Sequence, residues 1–272
     1  MGSGIAEVAA KTGHEVILRS RKQESADAMV AGLEKSLAKQ VERGKLGEED
    51  RDATLARVSA TSSLDDLKDC DLVIESIVED LATKKVLFNE LDRIVKDGAI
   101  LATNTSTLPV VEMAVQTNRP DKVCGVHFFN PAPAMSLVEI VRPLTASDET
   151  IAAVTEFASS CGKNPVEVQD RAGFIVNALL FPFLNNAVRM LENGTASRDD
   201  IDAAMQGGCN HPMGPLALLD LVGLDTSVSI LDALYAEFRD PNYAAQPLLR
   251  RMVTAGHLGR KSGLGFYDYA KK

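Results

Sequence analysis

Short apolar runs separated by helical stretches organise the chain up to about Val168. Residues 14–18, 71–75, 99–102, 123–128 and 137–141 read as strands, because brief apolar runs bounded by turn signals suit buried strands. Residues 3–12 predict a small-residue helix closed at Gly13. Residues 25–57 form a long, charged helical stretch broken at Arg43-Gly44-Lys45 and Gly47, which predicts a helical hairpin. Leu87, Leu91, Ile94 and Val95 recur at helical spacing, and Pro109 falls in the first turn of the helix after the 99–102 strand. This alternation predicts a mostly parallel α/β sheet. After Asp170 helical spacing dominates to about Ala255, with breaks at Asn193-Gly194, Gly207-Gly208 and between Pro212 and Pro215. The expected organisation is an α/β domain over 1–169, with the hairpin near 25–57 as an insert, followed by an all-α domain over 170–272.

Composition narrows the partners. A chain of 272 residues suits one large or two ordinary domains at ~100–200 residues each. Its 45% hydrophobic and 25% charged residues are ordinary for a globular protein with a substantial core. A net charge of −9, few aromatics and no Trp argue against a nucleic-acid groove. A local basic patch for one anionic ligand stays compatible with that charge. Cys70, Cys124, Cys161 and Cys209 are scattered, with no zinc spacing, and read as thiols of a reducing compartment. No metal site is expected. No segment approaches the ~18 apolar residues of a membrane span, and the N-terminus lacks the basic leader of a signal peptide. A cytoplasmic location is expected.

Several residues stand out as chemistry. A dinucleotide fold wants a strand, G-x-G-x-x-G opening a helix, and a second strand ending in an acid. Here Met1-Gly2 before the small-residue helix would be the final x-G of that motif, so the N-terminus begins inside it. The second strand ends Leu18-Arg19-Ser20-Arg21, with Ser20 where an acid would bind a ribose 2′-hydroxyl. Arginine and serine can bind a 2′-phosphate that a carboxylate would repel, which tilts the expectation to NADP over NAD. The opposing reading is two solvated surface arginines. His127, in Gly125-Val126-His127-Phe128-Phe129-Asn130-Pro131, lies at the carboxyl end of a predicted strand, where open α/β sheets bind ligands. Glu139 lies inside the next apolar strand, a costly place for a carboxylate without a partner. His127 is the natural partner, and the pairing would orient the ring for proton transfer. Asn104-Thr105-Ser106-Thr107 reads first as a helix N-cap. Asn177 in Gly173-Phe174-Ile175-Val176-Asn177 is open between a core and a cleft role.

Taken together these segments resemble the 3-hydroxyacyl-CoA dehydrogenase family along essentially the whole chain, in its short, stand-alone 3-hydroxybutyryl-CoA form. The matching runs are residues 1–6, 73–79, 104–106, 127–131, 137–139, 173–177, 211–215, 220–225 and 259–267. The resemblance implies a Rossmann-like α/β domain, truncated at its N-terminus, followed by an all-α domain. It implies that His127 is the general base, oriented by Glu139, and that Ser106 and Asn177 hydrogen-bond the reacting oxygen or the thioester. It implies that Gly2, Glu79, Lys84, Ser106, Asn130 and Lys261 line the cofactor site, joined on the residue reading by Arg19, Ser20 and Arg21. Ser36 and Arg43 match positions that contact CoA, Arg43 where Lys is common, and Lys84 and Ser106 also lie near the acyl-CoA. Family members form homodimers through the helical domain, and the apolar stretches 179–184 and 216–224 are compatible with that. The absent first strand would be central in the sheet, leaving strand edges unpaired and removing much of the pyrophosphate cradle. Two other readings remain: a dehydrogenase of a free hydroxy acid on the same fold, and a catalytically silent binding or structural relative.

Overall fold

A computed structural model describes residues 1–270, whose contacts divide into two compact units, Met1–Asp170 and Arg171 onward. The first unit opens with helix α1 (Gly2–Lys11), strand β1 (Val16–Arg19) and a helical hairpin of α2 (Gln23–Glu42) and α3 (Glu48–Ala56). Strand β2 (Val58–Thr61) follows and pairs in parallel with β1, from Val16 against Val58 to Arg19 against Thr61. The sequence pattern did not reveal β2: a four-residue strand with Ser and Ala carries almost no period. Then come β3 (Leu72–Glu75), α4 (Leu81–Ile94), β4 (Ile100–Thr103), the short α5 (Val110–Ala114), β5 (Val123–Phe128), β6 (Leu137–Arg142), α6 (Asp148–Ser160) and β7 (Asn164–Gln169).

Strands β3 to β7 form one sheet in chain order, parallel throughout except where β6 runs antiparallel to β5. Strands β1 and β2 form a separate two-stranded sheet, so β1 and β3 each have a single ladder neighbour. Every residue of β5 is buried, as a strand covered on both faces requires. One face carries Cys124, Val126 and Phe128 with Val138 and Ile140, packed on Ile5, Val8 and Ala9 of α1 and Ile151, Val154 and Ala158 of α6. Period-two alternation turns Gly125 and His127 to the other face. There a Cβ at Gly125 would lie 2.6 Å from Cβ of its ladder partner Val141 on β6 and 3.3 Å from Val110 Cγ2 of α5.

Helix ends follow local chemistry. Asp80 caps α4 by accepting the Thr83 amide at 2.8 Å, and Ser147 caps α6 by accepting the Thr150 amide at 3.2 Å. Helix α5 is capped from a distance: Asp170 accepts the Val110 and Val111 amides at 2.9 and 2.8 Å. The segment 104–107 is therefore no helix cap. Asn104 Oδ1 accepts the Phe128 amide instead, and Thr105 Oγ1 accepts from Leu108 N in a turn.

The second unit is helical: α7 (Val176–Glu192), α8 (Arg198–Cys209), α9 (Pro215–Val222), α10 (Leu224–Phe238) and α11 (Pro247–Thr254). Gly207-Gly208 does not break it, since α8 runs through both and ends at Asn210 in the left-handed conformation. Gly173 and Phe174 both have positive φ, so this segment is a tight turn and the helix starts only at Val176. Phe181, Leu184, Leu216, Leu219, Leu224, Leu231, Leu234 and Leu249 make the core. Two buried carboxylates tie it together. Asp202 accepts the Leu216 and Ala217 amides and the Tyr267 hydroxyl. Asp220, 1% exposed, accepts the Phe266 and Tyr267 amides at 2.9 Å and the Tyr269 hydroxyl at 3.1 Å. Burial still pushes the Asp220 carboxyl above its ordinary value against those three donors. No helix among the described residues is long and apolar enough to cross a membrane.

The contact at Gly125 generates a stability prediction. Gly125→Ala should fold but lose about 1–3 kcal/mol, because α5 or the β6 edge must shift to admit a methyl group. A urea midpoint equal to that of the parent chain would contradict this packing.

Candidate active site

The antiparallel register of β5 and β6 sets His127 directly opposite Glu139. Their side chains meet at 2.8 Å, His127 Nδ1 to Glu139 Oε2, with 6% and 1% of the side chains exposed. A carboxylate so deprived of water needs a donor, and the imidazole N–H supplies one. Donation from Nδ1 places the basic lone pair on Nε2. The Phe129 ring, 4.5 Å from the imidazole centroid, packs against the same ring.

A second polar cluster lies at the carboxyl ends of β3 and β4. Lys84 of α4, 1% exposed, places Nζ 2.8 and 2.9 Å from the two oxygens of Glu75 and 3.2 Å from Glu79 Oε2. Glu75 also accepts the Thr103 hydroxyl at 2.8 Å and the Ile77 amide at 2.5 Å. The other oxygen of Glu79 accepts the Thr105 hydroxyl at 2.5 Å and the Ser106 amide at 2.9 Å. Glu79, Lys84 and Ser106, expected from sequence to share a site, are thus brought into one network. Glu75 and Thr103 are not singled out from sequence, and Thr105 reads there as part of a helix N-cap. The available signal was the one that singled out Glu139, a carboxylate attached to an apolar strand run.

Residues expected at a dinucleotide lie at strand ends and a helix start. Gly2 opens α1, and a Cβ on it would come within 4.0 Å of Ser76 Cβ, just past β3. Arg19 ends β1, Ser20 follows half-buried, and Arg21 is exposed. Arg19 Nε and Ser76 Oγ are both buried without a hydrogen-bond partner among the described residues. Two unmatched polar atoms at the carboxyl ends of parallel strands, one beside a helix N-terminus, fit a phosphate-bearing nucleotide. Asn130, also expected there, is exposed and precedes Pro131 through a cis peptide bond.

A groove of about 540 Å³ runs along α2, bordered by Lys11, Lys35, Ser36, Lys39, Gln40, Arg43 and Lys45, with Pro133 and Ala134 opposite. Ser36 and Arg43 therefore share one strongly basic surface on an acidic protein. Beneath it, the buried Glu7 accepts the Ser36 hydroxyl at 3.0 Å and Gln40 Nε2 at 2.7 Å. In the second unit, Asn177 lies in the first turn of α7, 8% exposed. Lys261 hydrogen-bonds Asp225 Oδ2 at 2.6 Å and forms an ion pair with the same carboxylate. Burial opposes ionisation of Asp225, but the Lys261 hydrogen bond and the Thr226 amide together hold its carboxyl below the ordinary value. Among the described residues no cluster of His, Cys, Asp and Glu could hold a metal ion.

The chain matches known proteins along its whole length. Residues 1–171 match the family described as 3-hydroxyacyl-CoA dehydrogenase, NAD binding domain, and residues 173–269 match its C-terminal domain. The 3-hydroxybutyryl-CoA dehydrogenase of Clostridioides difficile is 49% identical over 271 residues, covering 100% of this chain and 96% of that protein. The crystal structure of M. tuberculosis FadB2 superposes with a TM-score of 0.97 at 49% identity, over 99% of this chain and 95% of that one. The (S)-3-hydroxybutyryl-CoA dehydrogenase PaaH1 from Ralstonia eutropha gives a TM-score of 0.97 at 43% identity, over 100% and 96% of the two chains. The chain, a Rossmann-like domain followed by a helical domain, belongs to the 3-hydroxyacyl-CoA dehydrogenase family.

Proposed function

We propose that this protein interconverts a (3S)-3-hydroxyacyl-CoA, with 3-hydroxybutyryl-CoA as the favoured substrate, and the matching 3-oxoacyl-CoA. The observation that carries the reading is the buried His127–Glu139 pair at the carboxyl end of β5. A nicotinamide dinucleotide, when bound, supplies the hydride acceptor or donor. His127, its Nδ1–H held by Glu139, takes the 3-hydroxyl proton at Nε2 during oxidation and returns it to the oxygen during reduction. Glu139 keeps the ring in one tautomer and balances the charge of the imidazolium. The family resemblance assigns Ser106 and Asn177 hydrogen bonds to the polarised oxygen or the thioester. It assigns Asn130 and Lys261 to the cofactor.

The basic groove on α2 favours a CoA thioester over a free hydroxy acid, because its cations suit phosphate groups. At the nucleotide end, Ser20 in place of an acid and the unmatched Arg19 Nε favour NADP over NAD. The exposed Leu179, Leu221 and Val222 support a homodimer through the helical unit, whereas Phe181, Leu184, Leu216, Leu219 and Leu224 of the same stretches serve its core.

Three measurements test these assignments. His127→Gln should bind dinucleotide with unchanged affinity while turnover of acetoacetyl-CoA falls about 10²- to 10⁴-fold. Undiminished turnover would remove His127 from the mechanism. Replacing Ser36 and Arg43 together by alanine should raise the KM for acetoacetyl-CoA about tenfold or more and leave any turnover of free acetoacetate unaltered. An unchanged thioester KM would favour the free-acid reading. NADPH should enhance its fluorescence at lower protein concentration than NADH, and Ser20→Asp should reverse that order. A parent chain that prefers NADH would refute the NADP assignment, and one that binds neither would sink the dehydrogenase reading.

A further inference from the structure

Glu75 has no role in the chemistry proposed above, yet it is among the most constrained side chains of the first unit. It ends β3 with its side chain 1% exposed and saturates its oxygens with Lys84, the Thr103 hydroxyl and the Ile77 amide. The ladder pairs Glu75 with Thr103 of β4, and Thr103 with Gly125 of β5. Gly125 and His127 share one sheet face by strand period, so the Glu75 cluster and the His127–Glu139 pair face the same side. Two inter-strand spacings separate them, a lateral distance of about 10 Å.

From this cluster one chain of bonds reaches the loop after β4. Lys84 bridges from Glu75 to Glu79, and Glu79 in turn holds the Thr105 hydroxyl and the Ser106 amide. A buried cation needs a counter-charge, and Lys84, 1% exposed, has the carboxylates of Glu75 and of Glu79, the latter 41% exposed. Glu75 is therefore the buried anion that holds Lys84 at the carboxyl ends of β3 and β4. From that position Lys84 engages one oxygen of Glu79 and leaves the other to bind the Ser106 segment. Without Glu75, Lys84 would have only Glu79 to neutralise it, and the two-oxygen arrangement that sets the loop would change.

We infer that Glu75 is a positioning residue, fixing the loop that carries Ser106 through Lys84 and Glu79. The inference rests on the dehydrogenase reading for its effect on turnover, but its effect on dinucleotide binding stands apart from that reading. Glu75→Gln keeps shape and one acceptor while removing the charge. It should lower kcat for acetoacetyl-CoA about 10- to 100-fold, since small displacements of a positioned group are costly. It should also weaken NADH and NADPH binding about tenfold, yet leave the acetoacetyl-CoA KM within about twofold of the parent value. Glu75→Asp, which restores the charge one methylene shorter, should recover part of the lost kcat. Native thermal melting with unchanged kcat and dinucleotide affinity would overturn the inference. So would a common fall of kcat, KM performance and folded fraction, which would mark Glu75 as merely structural. If Glu75→Gln does not fold, Glu75→Asp decides alone: a folded variant with parental kcat and dinucleotide affinity refutes the role. A parent chain inactive on acetoacetyl-CoA would defeat the proposed activity, while the ratio of dinucleotide affinities between Glu75→Gln and the parent would still test the loop.

Discussion

The cost of taking a carboxylate out of water governs the first unit. Glu75 and Glu139 both sit on strands, buried to 4% and 0% exposure, and each is tolerated only because another element delivers a donor to it. For Glu139 the donor is His127, placed by the one antiparallel ladder of the five-stranded sheet. For Glu75 the donors are Lys84, placed by the packing of α4, together with the Thr103 hydroxyl and the Ile77 amide. A parallel β5–β6 pairing would change the register and the direct opposition of imidazole and carboxylate. The change of strand direction is thus part of how the site is made.

Close packing enforces that geometry from both faces. Apolar residues of α1 and α6 cover one side of β5, while on the other Val141 of β6 and Val110 of α5 crowd position 125 so that a methyl group there forces a shift. Asp170 reinforces this face by capping α5 through two backbone amides. The basic groove on α2 is made differently. Its cations stand at the surface, and only the hydrogen bonds to Glu7 anchor its floor in the interior.

Much of this was legible in the residues, for reasons that can be stated locally. Glu139 announced itself because a lone carboxylate in Leu137-Val138-Glu139-Ile140-Val141 has no other physical excuse, and His127 was the imidazole at a strand end. The helical hairpin followed from its glycine break, and the change of period after Asp170 separated sheet from helices. What stayed hidden depended on tertiary context. Strand β2 has too little pattern to declare itself, and Gly207-Gly208 looks like a break although α8 passes through it. The 104–107 segment carries capping residues, but their partners are Phe128 and the loop itself, while α5 takes its cap from Asp170. Glu75 gave the same kind of signal as Glu139, but its charged partner lay on a helix and only the neutral Thr103 hydroxyl at the matching strand position.

The Asp220 clamp bears on how the protein is born. Asp202 and Asp220, early in the helical unit, are completed by Phe266, Tyr267 and Tyr269 at its far end. Synthesis at ~5–20 residues per second leaves roughly 5–20 s between emergence of the first unit and completion of the second. During that interval β1 to β7 have all been synthesised, whereas Asp202 and Asp220 still lack the donors they take from residues 266–269. The residues of the His127–Glu139 pair therefore leave the ribosome before the donors that complete Asp220, so a chain stalled between them would carry a helical unit with an unfinished core.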